Sequence, residues 1–207
     1  MMTRQEFFNK AAVTWDKRFA SSELTNFLSQ LVPTFNLQPG QRVLDVGTGT
    51  GILIPFLLKA VGPTGQVTAV DYAEKMVEIC NRKYAGVSNV HVAVQRVENL
   101  DFPSESFDAV TCFGLFPHLE NKEASLAQLN RVLKPGGKLI IAHALSSVEI
   151  EAHHRNAPVV AHDALPGKEE MNRLLRHAGF TGIHITDEPG CYICLSTSLQ
   201  VHEHISC

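Results

Sequence analysis

Two aspartates beside a set of closely spaced glycines are the residues whose types and spacing suggest chemistry. Asp45 lies two residues before Gly47 in "VLDVGTGTGILIPFLL" (43–58), and Asp71 closes "QVTAVD". An apolar strand that leads through glycines into a helix exposes backbone N–H groups and the positive end of that helix, and glycine lets a ligand lie close to the backbone. These segments predict a small-molecule binding site.

The spacing of the glycines and the nearby acids indicate which ligand. A dinucleotide-binding loop has the pattern G-x-G-x-x-G, but position 52 is isoleucine, and no Walker-type lysine follows the loop. A carboxylate at Asp45 repels a pyrophosphate and attracts a cation, such as the ammonium group of S-adenosylmethionine. Asp71 stands where an acid accepts hydrogen bonds from the ribose hydroxyls of an adenosine. We therefore expect S-adenosyl-L-methionine as the cofactor.

Histidines are the second set of residues that could do chemistry. His118 follows the fourth predicted strand and His143 ends the fifth, and such strand ends converge at the mouth of a crevice. An imidazole can take a proton near pH 7, which a methyl acceptor that starts protonated requires. His118 and His143 are therefore candidate catalytic residues, together with His154 or His153 from a later insertion.

Structural and metal-binding roles are also open to these histidines. They can cap helix ends or lie in solvent. They can also form a metal site, in which His118, His143 and an insertion histidine are joined by Asp163, but no short-spaced metal-binding motif supports one. We expect no metal.

The elements that must position these residues alternate along the chain from residue 41 onward. Strands are predicted at Arg42–Val46, Gln66–Asp71, Val90–Val94, Phe107–Cys112 and Lys138–His143, with helices at 51–60, 73–85 and 122–133. Connections of this length exclude hairpins and imply right-handed crossovers, hence a doubly wound α/β fold whose parallel sheet is covered on both faces. Pro135 and Gly136 of "KPGG" are expected to end the third helix before the fifth strand.

The end of the chain breaks this alternation. The segment "GFTGIHITDEPGCYICLSTS" predicts two strands joined through Pro189 and Gly190, so the last strand should run antiparallel at or near the sheet edge. It contains a C-x-x-C pattern, Cys191 and Cys194. We expect these cysteines to serve packing, because positions i and i+3 of a strand face opposite sides.

Two further segments lie outside the core. Residues 4–35 read as helical with aromatic anchors, and the insertion 146–167 precedes a last helix, Lys168–Ala178. Ligands of an open α/β sheet bind outside the carboxyl ends of the strands, so both segments are placed to cover the site. We expect a single domain over 1–207, with an N-terminal helical cover (1–40), a cofactor-binding core (41–145), a cap insertion (146–167), and a last helix with a β-hairpin (168–207).

Composition narrows the class of partner. The 207-residue chain has a net charge of −3, 44% hydrophobic residues and a pI of about 6.4, so no overall positive field exists to hold a nucleic acid. No apolar run is long enough to cross a bilayer, and the start lacks a signal peptide. An odd number of cysteines in apolar segments suits reduced thiols. We expect a cytoplasmic protein without nucleic-acid partners, monomeric or homodimeric; the tail residues His202 and His204 are expected to be incidental.

Four segments together carry a family resemblance. In order and spacing, "VLDVGTGTG", "VTAVD", "FPSESFDAVTCFGLFPHL" and "LNRVLKPGGKLIIAH" resemble class I S-adenosylmethionine-dependent methyltransferases, in particular the small-molecule group that includes ubiquinone/menaquinone C-methyltransferase-like proteins. The resemblance covers roughly residues 7–145. It implies a seven-stranded sheet with an antiparallel last strand, and methyl transfer from S-adenosylmethionine to a small molecule.

The resemblance also implies which residues bind the cofactor. By their positions in the family's motifs they are Trp15, Asp45, Gly47, Thr48, Gly49, Gly51, Asp71, Tyr72, Met76, Val97, Glu98 and Phe113. The loop from Asp45 to Gly51 would hold the methionine part, and Asp71 the ribose. Tyr72 and Met76 would pack near adenine. The backbone of Val97 and the side chain of Glu98 would border the adenine edge. Phe113 would face the methyl group, with an aromatic of the N-terminal helix over the cofactor.

The chain departs from the family's sequence pattern at one position, and several alternative interpretations of its residues stay open. Family members usually read "GDAE.LPF" where this chain has "QRVENLDF", so Arg96 replaces the acid that would accept the adenine amino hydrogen. The glycines could serve only a turn, although sterics do not require Asp45 and Asp71 together, and Trp15 could be a core anchor. Two other functions stay open: a sensor that binds S-adenosylmethionine without turnover, and an RNA or protein methyltransferase, which the acidic balance disfavours.

Overall fold

The computed structural model describes residues 2–19 and 21–199, so His202 and His204 lie outside the described residues. The helices are α1 Arg4–Phe19, α2 Ser22–Thr34, α3 Ile54–Val61, α4 Glu74–Tyr84, α5 Lys122–Val132, α6 Ser147–His154 and α7 Lys168–His177. The strands are β1 Arg42–Val46, β2 Gln66–Asp71, β3 Val90–Val94, β4 Phe107–Phe113, β5 Leu133–His143, β6 Phe180–Glu188 and β7 Cys191–Ser198. Short 3₁₀ helices span Val97–Asn99 and Phe116–His118.

The strands form one seven-stranded sheet in the order β3-β2-β1-β4-β5-β7-β6. β1 to β5 pair in parallel, whereas β7 runs antiparallel between β5 and β6. The predicted doubly wound α/β fold with an antiparallel last strand is thereby confirmed. β1 and β4 lie at the centre and are almost entirely buried, as expected for strands covered on both faces.

The sheet reverses its winding at β1. β1 pairs with β2 on one side and with β4 on the other, with Asp45 opposite Ala69 of β2 and Thr111 of β4. At such a switch point, the connections leaving adjacent strands diverge and open a crevice beyond their carboxyl ends. Asp45 therefore stands at the mouth of this crevice.

The predicted boundary between the third helix and the fifth strand is wrong. α5 ends at Val132, and β5 begins at Leu133 and contains the whole "KPGG" segment. Phe107 pairs with Leu133 and Ala109 with Lys138, so the segment bulges within the strand instead of preceding it. A bulge tolerates a proline that has no N–H to donate, and Gly136 supplies the positive φ of 73°.

The start of α3 also differs from the prediction. The helix begins at Ile54, three residues after Gly51, because Gly51 closes a turn in which its N–H donates to the Thr48 carbonyl at 2.9 Å. The φ of Gly51 is +87°, which a helix does not allow. The glycine loop is thus longer than the sequence pattern indicates.

The N-terminal helix packs across the start of α4. Ala12 of α1 forms a buried cluster with Ala73 and Met76, against which Phe8 and Trp15 pack. Asp16 ties the end of α1 to the glycine loop by accepting from the Thr50 hydroxyl at 2.6 Å. In the part of the chain that the structure describes, no helix is both long and apolar enough to cross a membrane.

Candidate active site

A cavity of about 670 Å³ lies beyond the carboxyl ends of the central strands, beneath α1 and the cap insertion. Its walls bring together most of the residues that the sequence singled out. The predicted residues that line it are Trp15, Asp45, Gly47, Thr48, Gly49, Asp71, Tyr72, Met76, Val97, Glu98, Phe113, His118, His143, His153 and His154. The two acids and the candidate histidines thus face one continuous space.

Gly51 does not line this cavity. A Cβ atom at this position would lie 2.7 Å from Cε2 of Tyr84 and 2.8 Å from Sγ of Cys80. The Gly51 carbonyl also accepts a hydrogen bond from the Tyr84 hydroxyl at 2.8 Å. The structure places this glycine where the loop must approach α4 closely, which the sequence pattern alone does not distinguish from contact with a ligand.

Asp71 holds the glycine loop in place. Its Oδ2 accepts from the Gly49 N–H at 2.9 Å and its Oδ1 from the Ala73 N–H at 2.9 Å. Burial raises the pKa of Asp71, although these backbone hydrogen bonds act to lower it. A carboxylate offers about four acceptor positions, so further donors can bind on the side that faces the cavity.

Asp45 is buried, with 1% of its surface exposed. Its Oδ1 accepts from the Thr111 hydroxyl at 2.7 Å, while its Oδ2 has no hydrogen-bond partner among the described residues. Burial raises the pKa of Asp45 to about 6. An unpartnered carboxylate oxygen in a cavity wall is costly and favours a ligand that brings a cationic donor to it.

Arg96 lines the cavity next to Val97 and Glu98. Its guanidinium lies 5.2 Å from the centre of the Tyr72 ring, and its Nε lies 4.0 Å from Oε2 of Glu98. Val97 between them is buried. This wall of the cavity is therefore formed by the Tyr72 ring, the Arg96 guanidinium beside it, and Val97, and Glu98 supplies its carboxylate.

Two of the lining histidines, His118 and His154, contact one residue of the cap, Asp163. Nδ1 of His118 lies 2.8 Å from Oδ2 of Asp163, and Nδ1 of His154 lies 2.6 Å from the Asp163 backbone carbonyl. The centres of the two imidazole rings are 4.8 Å apart, and the Phe8 ring is 5.2 Å from that of His118. Among residues 2–19 and 21–199, no group of three or more His, Cys, Asp or Glu is arranged to hold a metal ion.

His143 also lines the cavity, and its Nε2 is buried without a hydrogen-bond partner among the described residues. The residue is 6% exposed. Burial lowers the pKa of His143 to about 3. At neutral pH this imidazole is uncharged, so it suits the role of a hydrogen-bonding group better than that of a base.

The depressed pKa of His143 predicts an acid-sensitive fold. The pKa is about 3 in the folded protein and about 6.5 when unfolded, so the stabilisation is fully present above pH 6.5 and is lost as the pH falls towards 3. Between pH 7 and 5.5 this residue alone should lower the free energy of unfolding by about 1 kcal/mol. Urea unfolding at both pH values, compared with His143→Gln, measures the effect. Equal pH dependence in the two proteins would contradict it.

Sequence reasoning missed Arg4 altogether and considered Asp163 only as a metal ligand. Arg4 donates to both Asp163 and Glu120, across 159 and 116 residues of chain. No local spacing relates these positions. For Asp163, the one signal in the sequence was an acid within a histidine-containing insertion. No signal in the sequence indicated that Leu115 packs against the glycine loop, where a Cβ at Gly47 would lie 2.8 Å from its side chain.

The strand order together with two acids around a glycine loop defines the class of S-adenosylmethionine-dependent methyltransferases. A family model described as a methyltransferase domain matches residues 43–137. The demethylmenaquinone methyltransferase of Staphylococcus aureus is 30% identical over 190 residues, which cover 78% of this chain and 76% of that protein. The chain therefore belongs to this methyltransferase family and is an enzyme that uses S-adenosyl-L-methionine.

Solved structures agree with this assignment. An S-adenosylmethionine-dependent methyltransferase from Aquifex aeolicus is 28% identical, with a TM-score of 0.67 over 82% of this chain and 88% of that one. The phosphoethanolamine N-methyltransferase 2 of Haemonchus contortus, solved with S-adenosyl-L-methionine, is 20% identical, with a TM-score of 0.73 over 88% of this chain and 44% of that one. The second likeness concerns the fold alone.

Proposed function

We propose that this enzyme methylates a small molecule whose acceptor atom carries a dissociable proton. The observation that carries the proposal is the cavity that joins the glycine loop and its acids to a set of histidines. When bound, S-adenosylmethionine supplies a methyl group on a positively charged sulfur. The chain must then hold the cofactor, exclude water, align the acceptor and receive its proton.

The acids and the loop are proposed to hold the cofactor. The free Oδ2 of Asp45 fits the ammonium group, because a buried carboxylate needs a cationic donor. The lining glycines, Gly47 and Gly49, let the cofactor lie against the backbone. Asp71 has acceptor positions left for the ribose hydroxyls.

The walls around the adenosine and the methyl group complete this proposal. Tyr72 and Met76 line the cavity together with Asp71. The backbone of Val97 and the side chain of Glu98, which also line it, would lie along the adenine edge. Phe113 lines the cavity as the last residue of β4, where it would face the methyl group. Thr48 and Trp15 are further proposed contacts. The tryptophan Nε1 would lie 3.4 Å from a Cβ at Gly49, so the ring covers the loop.

His118 is the proposed base. Its Nδ1 contacts the Asp163 carboxylate, which stabilises an imidazolium once the other ring nitrogen has taken a proton. Burial lowers the pKa of His154, and His143 is uncharged, so these two are better suited to accept hydrogen bonds from the acceptor. All three imidazoles line the cavity.

The shape of the cavity supports a small acceptor. Helices α1 and α2 and the cap cover it, and apolar residues from all three contribute to its walls, namely Phe7, Phe8, Leu24, Phe27, Ile150 and Val160. An apolar, covered site excludes water from the transfer and suits an acceptor with an apolar body. The demethylmenaquinone methyltransferase that this chain resembles bears a name that fits such an acceptor.

Free thiols support a cytoplasmic location as part of the proposal. Cys80, Cys112 and Cys194 are buried and unpaired, and Cys191 is partly exposed and also unpaired. Burial raises the pKa of Cys194 to about 12, so this thiol is unreactive and acts as an apolar group.

A fractionated extract tests the choice of acceptor. The protein and S-adenosylmethionine are incubated separately with a small-molecule filtrate, purified RNA and denatured protein from bacterial cells, and S-adenosylhomocysteine is quantified. We expect product with the filtrate, and much less with Asp71→Ala as the control for cofactor-independent background. Turnover only with RNA or protein would overturn the proposal. Tight binding of the cofactor without turnover in any fraction would favour the sensor.

A further inference from the structure

Asp163 connects two of the lining histidines, His118 and His154, to the N-terminal helix without lining the cavity itself. It is 4% exposed. Its carboxylate contacts His118 on one side, and on the other side Arg4 donates from Nη2 to Oδ1 and from Nε to Oδ2, the latter at 3.3 Å. Its backbone carbonyl contacts His154. One residue thus uses its side chain for one histidine and its main chain for the other.

The chemistry of Asp163 decides which nitrogen of each histidine carries hydrogen. Burial raises the pKa of Asp163, but the hydrogen bonds from His118 and Arg4 outweigh it, and the pKa is lowered overall. The side chain is therefore a carboxylate, which only accepts hydrogen bonds, as does a backbone carbonyl. Both Nδ1 atoms must donate, so a neutral His118 or His154 has its lone pair on Nε2.

We propose that Asp163 is a positioning residue that fixes His118 and His154 as Nδ1–H tautomers, so that both present Nε2 as a hydrogen-bond acceptor to the methyl acceptor. The inference rests on the proposed function of the histidine side of the cavity. It assigns Asp163 no contact with the substrate. A carboxylate that orients an imidazole and stabilises its protonated form is a known means of supporting a base.

Arg4 acts in the same network as the counter-ion of Asp163. A buried carboxylate is costly unless it is paired, and Arg4 provides the pair from the helix whose Phe8 and Trp15 pack against Ala73 and Met76. Glu120, on the exposed side, accepts from Nη1 of Arg4 at 3.2 Å. The covering helix α1 therefore contributes to the histidine network as well as to the cover of the cavity.

The tautomers can be measured directly with the nitrogen NMR spectrum of the ¹⁵N-histidine-labelled protein bound to S-adenosylhomocysteine. The signals are assigned by their loss in His118→Gln and His154→Gln. In the unaltered protein at neutral pH, both imidazoles should carry hydrogen on Nδ1. In Asp163→Ala, His118 should lose this preference while His154 keeps it, because the backbone carbonyl remains. His154 is the internal control.

A second variant guards against unfolding. Asp163→Ala leaves Arg4 with the exposed Glu120 as its remaining carboxylate partner, whereas Arg4→Met combined with Asp163→Leu replaces both members of the buried pair by apolar groups, a change that is often nearly neutral for stability. His118 should lose its tautomer preference in both variants. Arg18, on the same helix, has its guanidinium 6.0 Å from the centre of the Phe19 ring. Arg18→Met should therefore leave the tautomers unchanged.

Activity gives an independent readout. With an acceptor from the filtrate, turnover of both Asp163 variants should fall about tenfold or more, while the dissociation constant for S-adenosylhomocysteine changes less than about twofold. A neutral His118 with its hydrogen on Nε2 in the unaltered protein, or one still fixed on Nδ1 in Asp163→Ala, would overturn the inference. The spectra need no acceptor, so an absence of methyl transfer in every fraction would count against the proposed function and not against the tautomers.

Discussion

Replacing Asp71 by alanine should weaken the binding of S-adenosylhomocysteine by about 1 to 3 kcal/mol, roughly 5- to 150-fold. The carboxylate accepts from the N–H groups of Gly49 and Ala73 and is proposed to accept from the ribose as well. Its removal therefore loses the ligand contact and loosens the loop that the ligand lies against. Isothermal titration calorimetry at pH 7 measures the change.

Two controls separate binding from folding. Asp71→Asn keeps one acceptor oxygen and should give an intermediate loss, whereas Asp101→Ala, an exposed acid that does not line the cavity, should give none. The midpoint of thermal unfolding shows whether the freed N–H groups of the loop also cost stability. An unchanged dissociation constant in folded Asp71→Ala would remove this residue from the cofactor site.

Replacing His118 by glutamine should reduce methyl transfer about 10²- to 10⁴-fold, the range that general base catalysis contributes. The amide of glutamine can still donate to Asp163, so the network around the histidine is largely kept, but it cannot take up a proton. The dissociation constant for S-adenosylhomocysteine should stay within about twofold, because His118 is proposed to contact the acceptor. Turnover and calorimetry on the same preparation test both parts.

His91→Gln is the matched control for this variant. His91 lies on β3 at the sheet edge, is exposed and does not line the cavity, so its replacement should change neither turnover nor binding. A loss below about threefold in His118→Gln would contradict the role of His118 as the base. The acceptor found in the small-molecule filtrate is the substrate for both proteins.

Much of the sheet was determined by local sequence patterns. The bounds of β1, β2 and β3 were predicted to the residue, and the terminal hairpin turns at Pro189 and Gly190 as expected. Short apolar β-branched runs bounded by turn residues carry this information locally. The acid and the glycines of the first turn likewise sit within a few residues of each other, so the sequence by itself predicted the cofactor.

The tertiary structure alone decided how distant residues meet. The bulge in β5 follows from its pairing with β4, and the place of Gly51 follows from the packing of Tyr84 and Cys80. Burial, which no local pattern fixes, moves the pKa of Asp45 to about 6 and that of His143 to about 3. Arg4 and Asp163 form their ion pair across 159 residues of chain. Such contacts arise only when separate elements pack, because their energies depend on register, distance and desolvation rather than on neighbours in the sequence.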